Sequence, residues 1–441
     1  MFSTSKLKSQ STCLAGNLFR FFASRTAWIL LLCCALYNPV VIAKPEVEVM
    51  HWWFRGGESR AMRVIKDEFV DRGGVWHNVV GDTPIDVLNS AVSRMAKGYA
   101  PTLVQWHSGW EVTQIRNLGL LNRLEPEMFK FMQGALIDNV LDMVMVDGEI
   151  VAVPVNVHTE NWLWFRKAGG RTVSASDMQD WTSFLGYAET LAENGETLLA
   201  VGDEPWQQRV LFNNVLLGEA GQQIYEKIYN ELDVSALQQP EFLNAISYFR
   251  QLRQYSQSFG EGRWDQQVAA VAAQRAFGVI MGDWAKGEFR ILGSRLGRDY
   301  DCIPAPGTKG NVILVIDVFV LGQVATTQEK QGQELFVEVV TDPDVSESFN
   351  YLKGSLSPLR EIDADGLDRC NQVAHSTLVQ KGKAIRPHAS IGDRGFQADI
   401  DHAISTLWFG EDDMETWVDG FSKILEQERK KRRTTQHLLS E

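Results

Sequence analysis

The chemistry in this 441-residue chain gathers around its aromatic residues. Tryptophan outnumbers tyrosine, 14 to 9. Many of these rings stand beside polar side chains where a strand or loop should end: His51–Trp52–Trp53, Trp106–His107, the run from His158 to Trp164 (HTENWLW), Pro205–Trp206–Gln207, and Gly282 to Lys286 (GDWAK). A pyranose ring offers an apolar C–H face and a rim of hydroxyls. A flat indole can cover the face, while Asp, Glu, Asn, Gln, Lys and His can bond the rim. For any one of these tryptophans a core ring with a satisfied N–H is the commoner explanation; five clusters along the chain argue for a shared cleft. Catalytic signatures are missing: there is no GxSxG, HExxH, Walker A or CxxC. The eight histidines (51, 77, 107, 158, 375, 388, 402 and 437) show no metal-ligand spacing. The reading therefore calls for no metal and no cofactor. No pair of carboxylates can be set across a substrate from sequence, which leaves a glycosidase dyad open.

The elements that must carry these clusters alternate. Residues 46–53 read as a strand, 58–71 as a helix with Ala61, Met62, Ile65 and Phe69 on one face, 84–97 as another helix, and 102–106 and 149–157 as β-rich. Further on, 182–194, 242–257, 328–340, 397–408 and 413–428 read as helices, and 197–201 and 277–281 as strands. Residues 312–321 (VILVIDVFVL) read as one buried strand. This alternation predicts an α/β fold. The basic run 429–433 (RKKRR) reads as part of a solvated tail.

The N-terminus reads as an address. Four basic residues and no carboxylate in positions 1–43 precede the apolar run Ala27–Tyr37, with Val41 and Ala43 as small residues before a cut after Ala43. Eleven apolar residues fall short of the roughly 20 needed to span a bilayer as a helix. Removing this segment changes the net charge from −13 to −17, which argues against a whole-protein nucleic-acid binder. It also leaves only Cys302 and Cys370. Export favours a disulfide between them, with two unrelated buried thiols as the other reading.

At these clusters the chain resembles the periplasmic sugar-binding proteins of ABC importers, in the glucose/galactose/mannose group. The stretches that carry the likeness are VEVMHWWFRGGE (47–58), PTLVQWHSG (101–109), VDGEIVAVPVNVHTENWLW (146–164), AFGVIMGDWAKGEF (276–289), YDCIPAPGT (300–308), DVFVL (317–321) and SFNYLKGSLSP (348–358). The resemblance implies a two-lobed periplasmic binding protein of type II, each lobe a sheet flanked by helices, with three chain crossings near 154–159, 305–316 and 354–360. It implies a first lobe of 44–155 plus 312–355, a second of 156–311 plus 356–433, and a tail of 434–441. It implies sugar contacts from Trp52, Trp53, Glu58, Gln105, His107, His158, Trp206, Gln207, Trp284, Lys286, Asp317, Lys353 and His388, and it supports the Cys302–Cys370 bridge. The expected function is capture of a sugar, a glucose-like monosaccharide favoured, by a periplasmic monomer that delivers it to the permease subunits of an importer and binds no nucleic acid. A secreted carbohydrate-active enzyme and a sugar sensor partner of a membrane receptor are the alternatives. Arg55, Trp106 and Trp110 depart from the group's pattern.

Overall fold

The computed structural model describes residues 43–167, 178–386, 392–410 and 413–440. The predicted leader, apart from Ala43, and His388 lie outside the described residues.

Two five-stranded sheets organise the chain. In the first, strands Glu46–His51, Val75–Val80 and Leu103–His107 run parallel, and Asp317–Leu321 and Val153–Pro154 add antiparallel pairs, in spatial order 75–80, 46–51, 103–107, 317–321, 153–154. In the second, Ser256–Gln257, Thr197–Ala200 and Ala276–Met281 run parallel, and Trp162–Arg166 lies antiparallel between Ala276–Met281 and Tyr300–Pro304. Strands such as Ala276–Met281 are buried on both faces, which is why they read as continuous apolar runs.

Between the sheets lies a third, three-stranded one: Val312–Val315 pairs with His158–Thr159 and with Ala384–Ile385. The run 312–321, expected as one strand, is thus two. Val312–Val315 belongs to the middle sheet and Asp317–Leu321 to the first, with Ile316 between. Apolar composition is continuous across the break because both halves are buried, so periodicity could not reveal it. The chain passes from the first sheet to the second between 154 and 162, and returns between 304 and 317. Val157 and Leu356 pair in an isolated bridge beside these passages.

Helices cover the sheets. Gly56–Asp71 buries Ala61, Met62, Ile65 and Phe69, one face at helical spacing. It packs against Pro343–Lys353 and Ala285–Ile291. Pro205–Tyr229, a long helix that the sequence reading did not name, is broken at Gly221, whose φ of 75° suits glycine. The last helix, Met414–Ser440, carries the RKKRR run within it. The expected tail is therefore helical, with Arg432 bonded one turn back to Glu428 at 2.9 Å.

Cys302 and Cys370 form a disulfide that ties strand Tyr300–Pro304 to helix Arg369–Leu378.

Candidate sugar site

Parallel strands collect loops at their C-terminal ends, and open α/β sheets bind ligands in the crevice outside those ends. Trp52 follows strand 46–51, His107 ends strand 103–107, and Asp283 and Trp284 follow strand 276–281. Asp317 starts an antiparallel strand and stands directly opposite His107 in register, so both reach the same crevice.

A continuous chain of contacts joins these residues. Trp52 meets His107 edge-on at 5.4 Å. His107 Nε2 lies 3.3 Å from Asp317 Oδ1, and His158 Nε2 lies 3.3 Å from Asp317 Oδ2. The His158 ring meets Trp284 edge-on at 5.1 Å, and Trp284 lies 6.3 Å from Trp206. Gln105 completes the floor: its amide nitrogen donates to Asp317 at 3.5 Å, and its oxygen accepts the Trp52 backbone N–H at 3.1 Å. Trp52, Trp206 and Trp284 keep partly open faces, and His107 is half-exposed.

His158 is the electrostatic centre. Its Nδ1 bonds Asp283, and the Asn156 amide nitrogen stands 3.2 Å from its other nitrogen. Asp283 also accepts the Thr159 N–H and hydroxyl, each at 3.0 Å. Burial pushes the imidazole down, and Lys353 does too, but the Asp283 and Asp317 carboxylates outweigh both and hold it above its ordinary value. Burial would lift Asp317, yet the hydrogen bonds and charges of His107 and His158 hold it well below the usual carboxylate range. The raised histidine stabilises the fold fully below its unfolded value of 6.5 and loses this as pH climbs through its folded value. The lowered aspartate contributes above 3.8 and loses this as pH falls toward its folded value. The stabilisation should therefore be greatest between about pH 4 and 6.5 and fall on the alkaline side. Melting curves of the ligand-free protein and His158→Gln should converge above that window; a gap that widens with rising pH contradicts the assignment.

Beside this cluster, Glu58 opens helix Gly56–Asp71 and accepts from Lys353 Nζ at 2.8 Å. The Lys353 ammonium also lies 4.9 Å over the Trp53 ring. Glu288 from the second sheet's helix accepts the Gly57 N–H at 3.0 Å. The two sides are so close that a Cβ on Gly57 would sit 3.2 Å from the Gly287 backbone.

Three expected sugar contacts are otherwise engaged. Trp53 is 1% exposed and packs against Phe319 and Phe349; it is a core ring, and Trp52 carries the available face. Lys286 is fully buried and bonds Asp368 and Asn371, at 2.9 and 2.5 Å, because Asp368 is the side-chain cap of helix Arg369–Leu378 and needs a counter-charge. Gln207 donates to Glu204 at 2.7 Å and to the Gly262 carbonyl at 2.8 Å, which ties down the loop before its helix. Lys286→Met should lower the melting temperature, since it strands a carboxylate, and change sugar affinity less than threefold. A tenfold loss of affinity at unchanged stability would return Lys286 to the site.

The sequence reading missed Asn156, Asp283 and Glu288. Each lies within a stretch that carries the likeness, and Asp283 directly precedes Trp284. Nothing in the spacing marked it as the partner of His158, 125 residues away.

An α/β fold of two sheets joined through a small middle sheet, with an aromatic and acidic crevice at the strand ends, defines the class of extracellular solute-binding proteins. Solved structures agree at the level of fold. A chitin oligosaccharide binding protein superposes with TM-score 0.73 at 15% identity, over 87% of this chain and 99% of that one. A bacterial solute receptor with an exclusive preference for β-D-galactopyranose gives 0.72 at 13%, over 89% and 100%. No family model matches the chain. Sequence relatives do. A probable sugar-binding periplasmic protein of Brucella suis is 30% identical over 335 residues, 75% of this chain and 79% of the relative. One from Rhizobium meliloti is 30% identical over 343 residues, 77% and 82%. An ABC transporter extracellular-binding protein of Pyrococcus horikoshii is 28% identical over 381 residues, 83% and 84%. The chain belongs to the sugar-binding periplasmic proteins of ABC transporters.

Proposed function

We propose that the chain captures a neutral sugar in the crevice between its two sheets, without turnover, and hands it to the permease subunits of an importer. The first lobe comprises 44–155 and 312–355, and the second 156–311 and 356–433. The leader is removed near Ala43. The observation that carries this reading is the contact chain from Trp52 through His107, Asp317 and His158 to Trp284 and Trp206. It offers indole faces from both lobes with acceptor-rich polar groups between them. Apolar faces and hydroxyl donors are what a sugar presents, and closure of hinged lobes excludes water from both.

Trp52, His107, Asp317 and Trp284 contact the ring, Gln105 and His158 hold Asp317 in place, and Glu58 with Lys353 closes one side. Acceptors outnumber donors here, so a sugar bearing its own negative charge meets like charges. The direct test is intrinsic tryptophan fluorescence of the mature protein against a sugar panel, paired with the shift in melting temperature on binding. A saturable response to a neutral sugar, with no hydrolysis of chromogenic glycosides, is expected. No response to any sugar overturns the reading, and turnover replaces it with an enzyme.

A further inference from the structure

Beyond the contact chain lies a second polar group that it does not use: Glu160, Arg209 and Asp401. Arg209 Nε donates to Asp401 at 2.7 Å, while its Nη1 stands 3.9 Å from Glu160 Oε1. The Glu160 side chain is only 4% exposed, and the Arg209 residue 9%. Within this pair Glu160 Oε2 and Arg209 Nη1 have no hydrogen-bond partner, and neighbouring Asn214 Oδ1 has none either. Asn214 lies against Glu160, since its Nδ2 donates to the Glu160 carbonyl at 3.3 Å. Buried polar atoms are almost always bonded, so such a gathering calls for an occupant.

Three spacings turn this group toward the crevice. Glu160 stands two residues after His158, directly past the end of strand His158–Thr159. Its carboxyl responds to the charges of both His107 and His158. Arg209 follows Trp206 by three residues on helix Pro205–Tyr229, so both lie on one face. Asp401 follows Arg394 by seven on helix Arg394–Phe409, again on one face. Arg394 itself crosses to the first lobe, where it bonds Glu111 at 2.9 Å and Asn89 at 2.7 Å. Asp401 keeps 22% of its side chain exposed, and so opens the group to solvent on that inter-lobe face.

The partnerless atoms are the Arg209 donor, the Glu160 and Asn214 acceptors, and the Tyr225 hydroxyl, which is coupled to both Glu160 and Arg209. A hydroxyl both accepts and donates, and so can serve Nη1 and Oε2 together. Along the helix, Trp206 to Asn214 spans eight residues, about 12 Å, more than a single sugar ring covers.

We propose that Glu160 and Arg209 form a second subsite that binds the hydroxyls of a further sugar unit, so that the cargo is a disaccharide or longer. This replaces the single glucose-like ring expected from sequence. It rests on the sugar-receptor reading above.

The test is titration calorimetry of the mature protein with glucose, galactose, maltose, cellobiose and chitobiose, for wild type, Glu160→Gln and Arg209→Gln, with melting temperatures alongside. At least one disaccharide should bind wild type ten times more tightly than the monosaccharides. Glu160→Gln, which keeps the side chain's shape, should lose tenfold or more for that disaccharide and stay within twofold for monosaccharides. If Arg209→Gln melts early, Glu160→Gln alone decides. Wild type that prefers a monosaccharide overturns the subsite and leaves the receptor reading standing. Equal losses for both sugar sizes, or a change in melting temperature with affinity intact, make Glu160–Arg209 a structural ion pair and overturn the subsite. Wild type that binds none of the five overturns the subsite, and the receptor reading falls as well only if the wider fluorescence panel is silent too.

Discussion

Asp317→Asn should weaken sugar binding about 100-fold and lower stability at the same time. The carboxylate is 4% exposed, and both its oxygens are engaged, Oδ1 by His107 and Gln105 and Oδ2 by His158. A hydrogen bond to a charged group contributes about 1.5–3 kcal/mol, and about 1.4 kcal/mol is tenfold in affinity. Losing the charge removes such a bond to the sugar and loosens the two imidazoles that flank it. Breaking a buried charge pair by removing one partner costs about 3–5 kcal/mol, although Asn keeps part of the bonding and Asp283 remains on His158. Calorimetry with the best sugar of the panel and a melting curve at pH 6 read both effects. Trp52→Ala is the companion variant: it should lower affinity near tenfold with stability almost unchanged. Trp53→Ala should do the reverse, because a fully buried Trp costs about 3–5 kcal/mol on truncation. Retained affinity in both Asp317→Asn and Trp52→Ala places the sugar elsewhere.

Cys370→Ser should destabilise the protein by about 4 kcal/mol. The two cysteines are 68 residues apart, and closing a loop of that length removes this much entropy from the unfolded chain in the chain-entropy model. The bond joins the strand that edges the second sheet to the helix whose cap, Asp368, holds Lys286. Denaturant unfolding of the oxidised and Cys370→Ser proteins measures the difference. Equal midpoints would show that the loop is already constrained by other means.

Much of this architecture was legible in the chain. Helix 56–71 and strand 276–281 carry strong periodic or continuous apolar signals, and their bounds differ from expectation by two residues or fewer. What escaped was decided by long-range partners. Lys286 sits in the same short motif as Trp284, yet one reaches the crevice and the other turns to Asp368, 82 residues on. No local rule separates them, because helical geometry sends successive side chains in different directions. Trp52 and Trp53 show the same limit: adjacent indoles of equal promise, one at the surface of the crevice and one sealed in the core. The split of 312–321 into two strands was hidden because both halves are equally apolar.

The approach of Gly57 to Gly287 has a mechanical consequence. Here two backbones meet across the lobes with no side chain between them, and Gly354, with φ of 95°, adds a third glycine alongside. The contact lies against the backbone of Leu352 and Lys353, so for lobes turning about the nearby chain passages it would serve as a fulcrum. A lever magnifies what happens near its pivot. A single methyl at position 57 forces its neighbour back by a few tenths of an ångström, and that displacement grows toward the mouth of the cleft. Gly57→Ala should thus act as a wedge that changes sugar affinity without replacing any residue proposed to touch the sugar.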